Sequence, residues 1–403
     1  MRLDAAIARY IRENPASAAR HAEARKVMPG GNTRTVLHYE PFPLTFVRGE
    51  GPYLFSADGR RYIDFLGEYT AGLYGHSEPI ILDAIREALG RGLSFGSTNN
   101  LEQRLAELVC RRFPSMDLVR FTNSGTEANL MALALAVHIT GRRPVLVFRG
   151  GYHGSVLSFG DGPSPMNVPH EFVVGAYNDV EGTRALIRDT PFAAVLVEPM
   201  LGSGGCIPGT TEFLRMLREE TSATGALLIF DEVMTSRLSP GGVQLLEGIT
   251  PDLTTVGKYL AGGMSFGAFG GRHDLLAHFD PSSPAPLVHP GTFNNNVLSM
   301  SAGIAGLTQV LTDERLVALN TRGDAVRQRL NEVAGPFTVT GRGSLMTIHH
   351  PDAAAKELMF FELVARGLWL ARRGMITLSL PIEDEHCDAL VSAFGATVEE
   401  HFA

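Results

Sequence analysis

The sequence predicts an α/β protein, with a large domain on a mostly parallel central sheet and a smaller α+β domain formed jointly by the N- and C-terminal segments. Three observations predict it. Short apolar runs alternate with helical segments through the middle of the chain, those runs are continuous in polarity, and the pattern changes after residue 296. Continuously apolar strands are buried on both faces, as in a parallel sheet flanked by helices. At 403 residues the chain also exceeds the size at which one core stops growing, so two domains are the default.

The elements follow in order. Residues 1–60 carry a helix and a short strand pair, PLTFVRGEG and YLFSADGRRYID, expected to join the C-terminal unit. Residues 61–296 form the expected large domain. There LVRF (118–121) precedes the apolar-periodic NLMALALAVHIT, and VLVF (145–148), FVVGAY (172–177) and AAVLVE (193–198) read as strands. The helical TEFLRMLREETSATG leads to the strand ALLIFDEV (226–233), and LTTVGK and SFGAFGGR supply two more. Residues 297–403 form the expected small domain: VLSMSAGIAGLTQVL and ERLVALNTRGDAVRQRLNEVA are long helices, and FTVTGRGSLMTIHH and MITLSLPI are strands. ELMFFELVARG lies between those strands as a helix, and a last helix starts near Glu383.

Composition narrows the function. A net charge of −8 without a basic tract excludes a nucleic-acid partner. No run approaches the roughly 20 apolar residues of a membrane span, and MRLDAAIARYIREN lacks the apolar centre of a signal peptide. Cys110, Cys206 and Cys387 are widely separated and form no CxxC pair. They predict a reduced, cytoplasmic protein with no structural disulfide and no metal site.

Three stretches carry chemistry. In FTNSGTEANLMALALA (121–136) a strand ends and Ser124-Gly125-Thr126-Glu127 opens a helix. Ser124 and Glu127 have capping-box spacing. Hydroxyls on either side of a glycine at a helix N-terminus, where the first N–H groups are unpaired, make a phosphate site. A plain helix cap gives the same pattern. In ALLIFDEVMTSR, Asp231 ends an apolar strand, where a parallel sheet faces its ligands. In TTVGKYLAGG, Lys258 stands among apolar residues and glycines, one of three lysines in the chain. Lys26 and Lys356 lie instead on helix-like segments with charged neighbours. Desolvation lowers a lysine pKa, and a neutral amine forms Schiff bases with carbonyls. A phosphate cradle, a carboxylate and such a lysine are together what pyridoxal 5′-phosphate requires, and Tyr152 in GGYHGS offers a ring to stack on it, with His153 beside it.

NSGTEAN, GGYHG, VEPM, FDEVMTSR, TVGKYLAGGMSFGAFGGR and HPGTFNNN, in that order, resemble class III, fold-type I pyridoxal-phosphate aminotransferases over nearly the whole chain. The resemblance implies that Ser124, Gly125 and Thr126 hold the phosphate and that Tyr152 stacks on the ring. Asp231 pairs with the pyridine nitrogen, Val233 packs behind the ring, and Glu198 is the acidic residue near its hydroxyl. Lys258 holds the cofactor's aldehyde and, once displaced, acts as the general base. Thr292 contacts the phosphate of a neighbouring subunit, which implies a homodimer with shared active sites.

Within the class, MPGGNTRTVLHYEPFPLTFVRGEG, FLGEYTAGLYGHS and DEVMTSR look most like the β-phenylalanine aminotransferases. That implies transfer from an aromatic or small aliphatic β-amino acid to 2-oxoglutarate or pyruvate by a ping-pong course. Arg34 matches the arginine that binds the donor carboxylate there, and Arg373 in LARRGMITLSLP matches a second that serves a dicarboxylic acceptor, with Arg372 adjacent. A guanidinium fork suits a carboxylate because it reaches both oxygens. Tyr74, Phe42 and Tyr39 are candidate walls for an aromatic side chain. HHPDAAAKEL departs from the pattern of the group.

Other readings remain open at this stage. Glutamate-1-semialdehyde aminomutases and other class III ω-aminotransferases share the cofactor motifs. A non-enzymatic relative of the fold often loses the lysine or the aspartate, and both are present. GxSxG occurs around Ser94 and Ser265, but a nucleophile elbow needs a strand before it and a helix after, and neither context supplies both.

Overall fold

The computed structural model describes residues 2–402, which divide into two compact units: residues 79–320, and residues 2–78 with 321–402. In the larger unit, β1 (Leu118–Thr122), β2 (Val145–Phe148), β3 (Phe172–Gly175), β4 (Ala194–Val197), β5 (Leu227–Asp231), β6 (Leu253–Gly257) and β7 (Gly267–Gly271) form one sheet. Its order is β1-β7-β6-β5-β4-β2-β3. Only β7 runs antiparallel to its neighbours. These are the seven runs that the sequence marks as strands.

Both faces of the sheet's centre are covered, which is why its central runs are apolar. Val145 and Val147 point to one face, where Ala128, Ala132, Leu133 and Ala136 of the helix Gly125–Thr140 pack. Leu146 and Phe148 point to the other, against Phe213, Leu214 and Leu217 of the helix Thr211–Thr224. Burying a large aliphatic or aromatic side chain contributes roughly 1.5–3 kcal/mol. Ser265 leads directly into β7, and Ser94 follows the helix Pro79–Arg91 with no strand before it, so neither forms a nucleophile elbow.

The smaller unit holds a four-stranded sheet of Phe46–Glu50, Tyr53–Ser56, Arg61–Asp64 and Leu368–Trp369, the last pairing parallel through Leu368 and Ile63. A three-stranded sheet joins Thr338–Arg342, Leu345–His349 and Met375–Thr377. The unit boundaries differ from those read off the sequence at 60/61 and 296/297. Arg61–Asp64 pairs with Tyr53–Ser56 and so belongs to the smaller unit. The helix Val297–Ala305 packs on Pro79–Arg91 and on Asn100–Arg112, which keeps it in the larger one.

Tyr39 and Phe42, expected as walls of a substrate pocket, instead belong to the aromatic core of the smaller unit with Tyr10, Tyr62, Phe360 and Phe361. Their polar atoms are spent there. The Leu44 N–H donates to the Tyr39 hydroxyl, which pairs at 3.1 Å with the Tyr10 hydroxyl, and that donates to the Phe42 carbonyl.

Candidate active site

Two adjacent strand ends set out the centre of the larger unit. Asp231 is the last residue of β5 and pairs in register with Thr255 of β6, three residues before Lys258. Lys258 takes a left-handed φ of +58° as the chain leaves β6. A non-glycine residue in that region is uncommon and costs energy that its surroundings must offset.

Asp231 is 3% exposed and accepts from three donors: Asn129 Nδ2 at 2.8 Å and His153 Nδ1 at 2.8 Å on Oδ2, and the Val233 N–H at 3.0 Å on Oδ1. Asn129 ties the group together. Its amide also donates to the His153 carbonyl, while its own oxygen accepts from the Thr255 hydroxyl at 2.7 Å. The carboxylate therefore has a fixed orientation at the sheet's C-terminal edge. The sequence reading assigned no role to Asn129 or Thr255; the second asparagine of NSGTEAN, one helical turn after Gly125, is the signal that points to it.

Ser124 caps the helix Gly125–Thr140 by accepting from the Glu127 N–H at 3.2 Å. The Glu127 carboxylate reaches back to the Asn123 N–H, one residue earlier than a regular capping box. The backbone around this helix start is crowded. A Cβ on Gly125 would lie 2.7 Å from Val233 Cγ2, and one on Gly154 would lie 2.2 Å from Thr126 Oγ1, at a φ of +130°. One on Gly257, beside Lys258, would lie 3.5 Å from Val233 Cγ1 and 3.7 Å from the Gly125 nitrogen. Ser124, Gly125, Thr126, Val233, Lys258 and the Tyr152–Gly154 turn are thus brought together.

Glu198 is 5% exposed and accepts from the Tyr152 N–H at 2.9 Å and the Gly202 N–H at 3.0 Å. Burial pushes its carboxyl up to about 7; His153 opposes that rise, and Asp231 adds to it. Tyr152 itself is 46% exposed. Thr292 lies on an exposed loop that Asn294 ties to Asn123, next to Ser124, at 3.0 Å.

The smaller unit carries the two candidate arginines. Arg34 pairs with Glu68 at 2.7 Å, and its guanidinium lies 5.9 Å from the Tyr69 ring centre. The Arg373 guanidinium lies 5.3 Å from the same ring. Arg372 turns away to Glu357 at 2.5 Å, which separates the two neighbours. Glu68, Tyr69 and Thr70 all have positive φ, so the ring is held on a strained segment. Tyr74 is 4% exposed and offers a ligand little surface.

Comparison with known proteins agrees with this arrangement. The pattern describing Aminotransferase class-III matches residues 36–398. A beta-phenylalanine transaminase from Variovorax paradoxus is 52% identical over 414 residues, spanning 98% of this chain and 95% of the relative. A glutamate-1-semialdehyde 2,1-aminomutase from Desulforudis audaxviator is 36% identical over 421 residues, 95% and 97% of the two chains. Among solved structures, a beta-phenylalanine aminotransferase from Variovorax paradoxus superposes with a TM-score of 0.98 at 51% identity, covering 99% of this chain and 97% of that one. With a lysine and a carboxylate on neighbouring strand ends and a helix start beside them, the chain belongs to the class-III aminotransferases, fold-type I transaminases that depend on pyridoxal 5′-phosphate.

Proposed function

We propose that the protein transfers the amino group of an aromatic β-amino acid, of the β-phenylalanine kind, to a small keto acid. Support for this donor comes from the β-phenylalanine transaminase relative and, above all, from one observation: Arg34 and Arg373 meet on a single ring, Tyr69. Two cations so placed suit acids that carry a carboxylate away from the reacting carbon.

The donor set fits the cofactor. Ser124, Gly125 and Thr126 hold its phosphate at the helix N-terminus, where the crowding between Gly154 and Thr126 leaves room for backbone but not for a side chain. Tyr152 would stack on its ring and Val233 would pack behind it. Asp231, oriented by Asn129 and His153, would pair with the protonated ring nitrogen, and Glu198 would serve the ring hydroxyl. When bound, the cofactor supplies an electron sink that lets a bond at the amino-bearing carbon break.

The chain's residues do the rest. Lys258 would hold the aldehyde, and its Nζ, once displaced, would serve as the general base at the substrate carbon. Arg34 holds the donor carboxylate. The course is ping-pong, the oxidised donor leaving before the acceptor, 2-oxoglutarate or pyruvate, enters on Arg373. The exposed Thr292 loop reaches the phosphate of a second copy, which makes the working form a homodimer. The three free cysteines accord with a reducing, cytoplasmic setting.

The test is the visible spectrum of the pyridoxal-phosphate-loaded protein before and after (S)-β-phenylalanine, with no keto acid present. Conversion of the lysine-bound cofactor band to the pyridoxamine band supports the donor. A band left unchanged by β-phenylalanine removes that donor and favours the aminomutase reading. Arg34→Ala is expected to raise KM for β-amino acids by about 10–100-fold, the scale of one charged hydrogen-bond pair.

A further inference from the structure

Thr255, Asn129 and Asp231 form an unbroken line of buried polar side chains within the larger unit. Thr255 and Asp231 are register partners on β6 and β5, so their side chains leave the sheet on the same face. Asn129 comes from the helix Gly125–Thr140, which covers that face, and bonds to both. Its helix neighbours Ala128 and Ala132 pack into the apolar core, where an unmet polar atom is costly.

A side-chain amide has a donating end and an accepting end. Two acceptors stand on one side of Asn129: Asp231 Oδ2 at 2.8 Å and the His153 carbonyl oxygen at 2.9 Å. Both require the NH2 end. The amide oxygen then meets the Thr255 hydroxyl at 2.7 Å, its one donor among the described residues. The hydroxyl must therefore donate, and its bond fixes the turn of the amide. In a dry site such a chain also polarises its members, so that donation to the amide oxygen makes the amide N–H a stronger donor.

We infer that Thr255 is a positioning residue for the cofactor's ring nitrogen: its hydroxyl holds the Asn129 amide with its donor end on Asp231, and so keeps that carboxylate in place for the ring. The inference rests on the proposed pairing of Asp231 with the ring nitrogen. It adds a residue whose side chain acts on Asp231 only through Asn129. Without the hydroxyl, the amide oxygen is buried and unmet, and the amide loses the bond that sets its orientation.

The test titrates the cofactor-free enzyme, followed by absorbance, with pyridoxal 5′-phosphate and with an analogue carrying C–H in place of the ring nitrogen. Wild type is expected to prefer the natural cofactor, because only that ring can bond Asp231 through nitrogen. Thr255→Val keeps the β-branched shape and removes the hydroxyl. It is expected to cut the preference about three- to tenfold, the scale of one hydrogen bond. Thr255→Ser is expected to restore most of it. Asn129→Leu breaks the same line from the helix, reads it independently of Thr255→Val, and is expected to cost at least as much of the preference. Equal weakening of both ligands in Thr255→Val and Asn129→Leu marks a structural role only and overturns the inference. So does a preference that is lost in Asp231→Asn but kept in Thr255→Val. Equal binding of both ligands by wild type, or a full preference kept in Asp231→Asn, instead overturns the pairing of Asp231 with the ring nitrogen, and the role of Thr255 with it.

Discussion

His153 Nδ1 lies 2.8 Å from Asp231 Oδ2, and both side chains are almost entirely buried. The imidazole N–H donates to the carboxylate and fixes which way it faces. His153→Phe keeps a ring in place and removes that donor, leaving Asn129 as the only partner of Oδ2. A hydrogen bond to a charged group is worth about 1.5–3 kcal/mol, so kcat is expected to fall about 10–100-fold. Separate measurement of the two half-reactions checks the cause. Both are expected to slow equally, since Asp231 is proposed to serve the cofactor in each.

Gly154→Ala tests the crowding around the helix start. The new Cβ falls 2.2 Å from Thr126 Oγ1, on a backbone at φ +130° that disfavours any side chain. Strain of this kind costs about 1–3 kcal/mol. Weaker retention of pyridoxal phosphate on dialysis, together with a lowered unfolding midpoint, is the expected result.

Glu198 makes stability depend on pH. Its carboxyl is raised from 4.5 to about 7, chiefly by burial, so the folded state holds the proton more tightly than the unfolded chain does. The associated stability is fully present below about 4.5 and is lost as pH rises through about 7. The full difference is on the order of 3 kcal/mol. Urea midpoints of cofactor-free wild type are therefore expected to drop between pH 5 and 8. Glu198→Gln, which cannot ionise, is expected to flatten that dependence.

Tyr69→Leu removes the ring that Arg34 and Arg373 share. Each cation–ring contact is worth roughly 0.5–1 kcal/mol at exposed sites. KM for donor and for acceptor is expected to rise about two- to fivefold each, with kcat little changed. Tyr69→Phe keeps the ring face and is expected to behave as wild type in steady-state kinetics.

Much of this was legible in the sequence because burial leaves a periodic trace. Most strands of the large sheet are continuous apolar runs, and Asp231 and Lys258 stand out as charges at the ends of such runs. Partnerships leave no such trace. Asn129 donates to Asp231 across 102 positions of sequence and accepts from Thr255 across 126, and no local pattern records contacts that distant. Tyr39 and Phe42 look like ligand walls because aromatic residues serve pockets and cores equally well, and here the core took them. The end of the larger unit was misplaced for a related reason. Helix periodicity marks that Val297–Ala305 is a helix but not which helices it packs on.

The division into two units separates two kinds of heritable change. The residues proposed to hold the cofactor all lie within 79–320, whereas Arg34, Arg373 and Tyr69 all lie in the unit formed by the two ends of the chain. Substitution in those ends can therefore alter which acids are accepted while the cofactor is retained. A lineage carrying this architecture is expected to diversify in diet before it diversifies in chemistry.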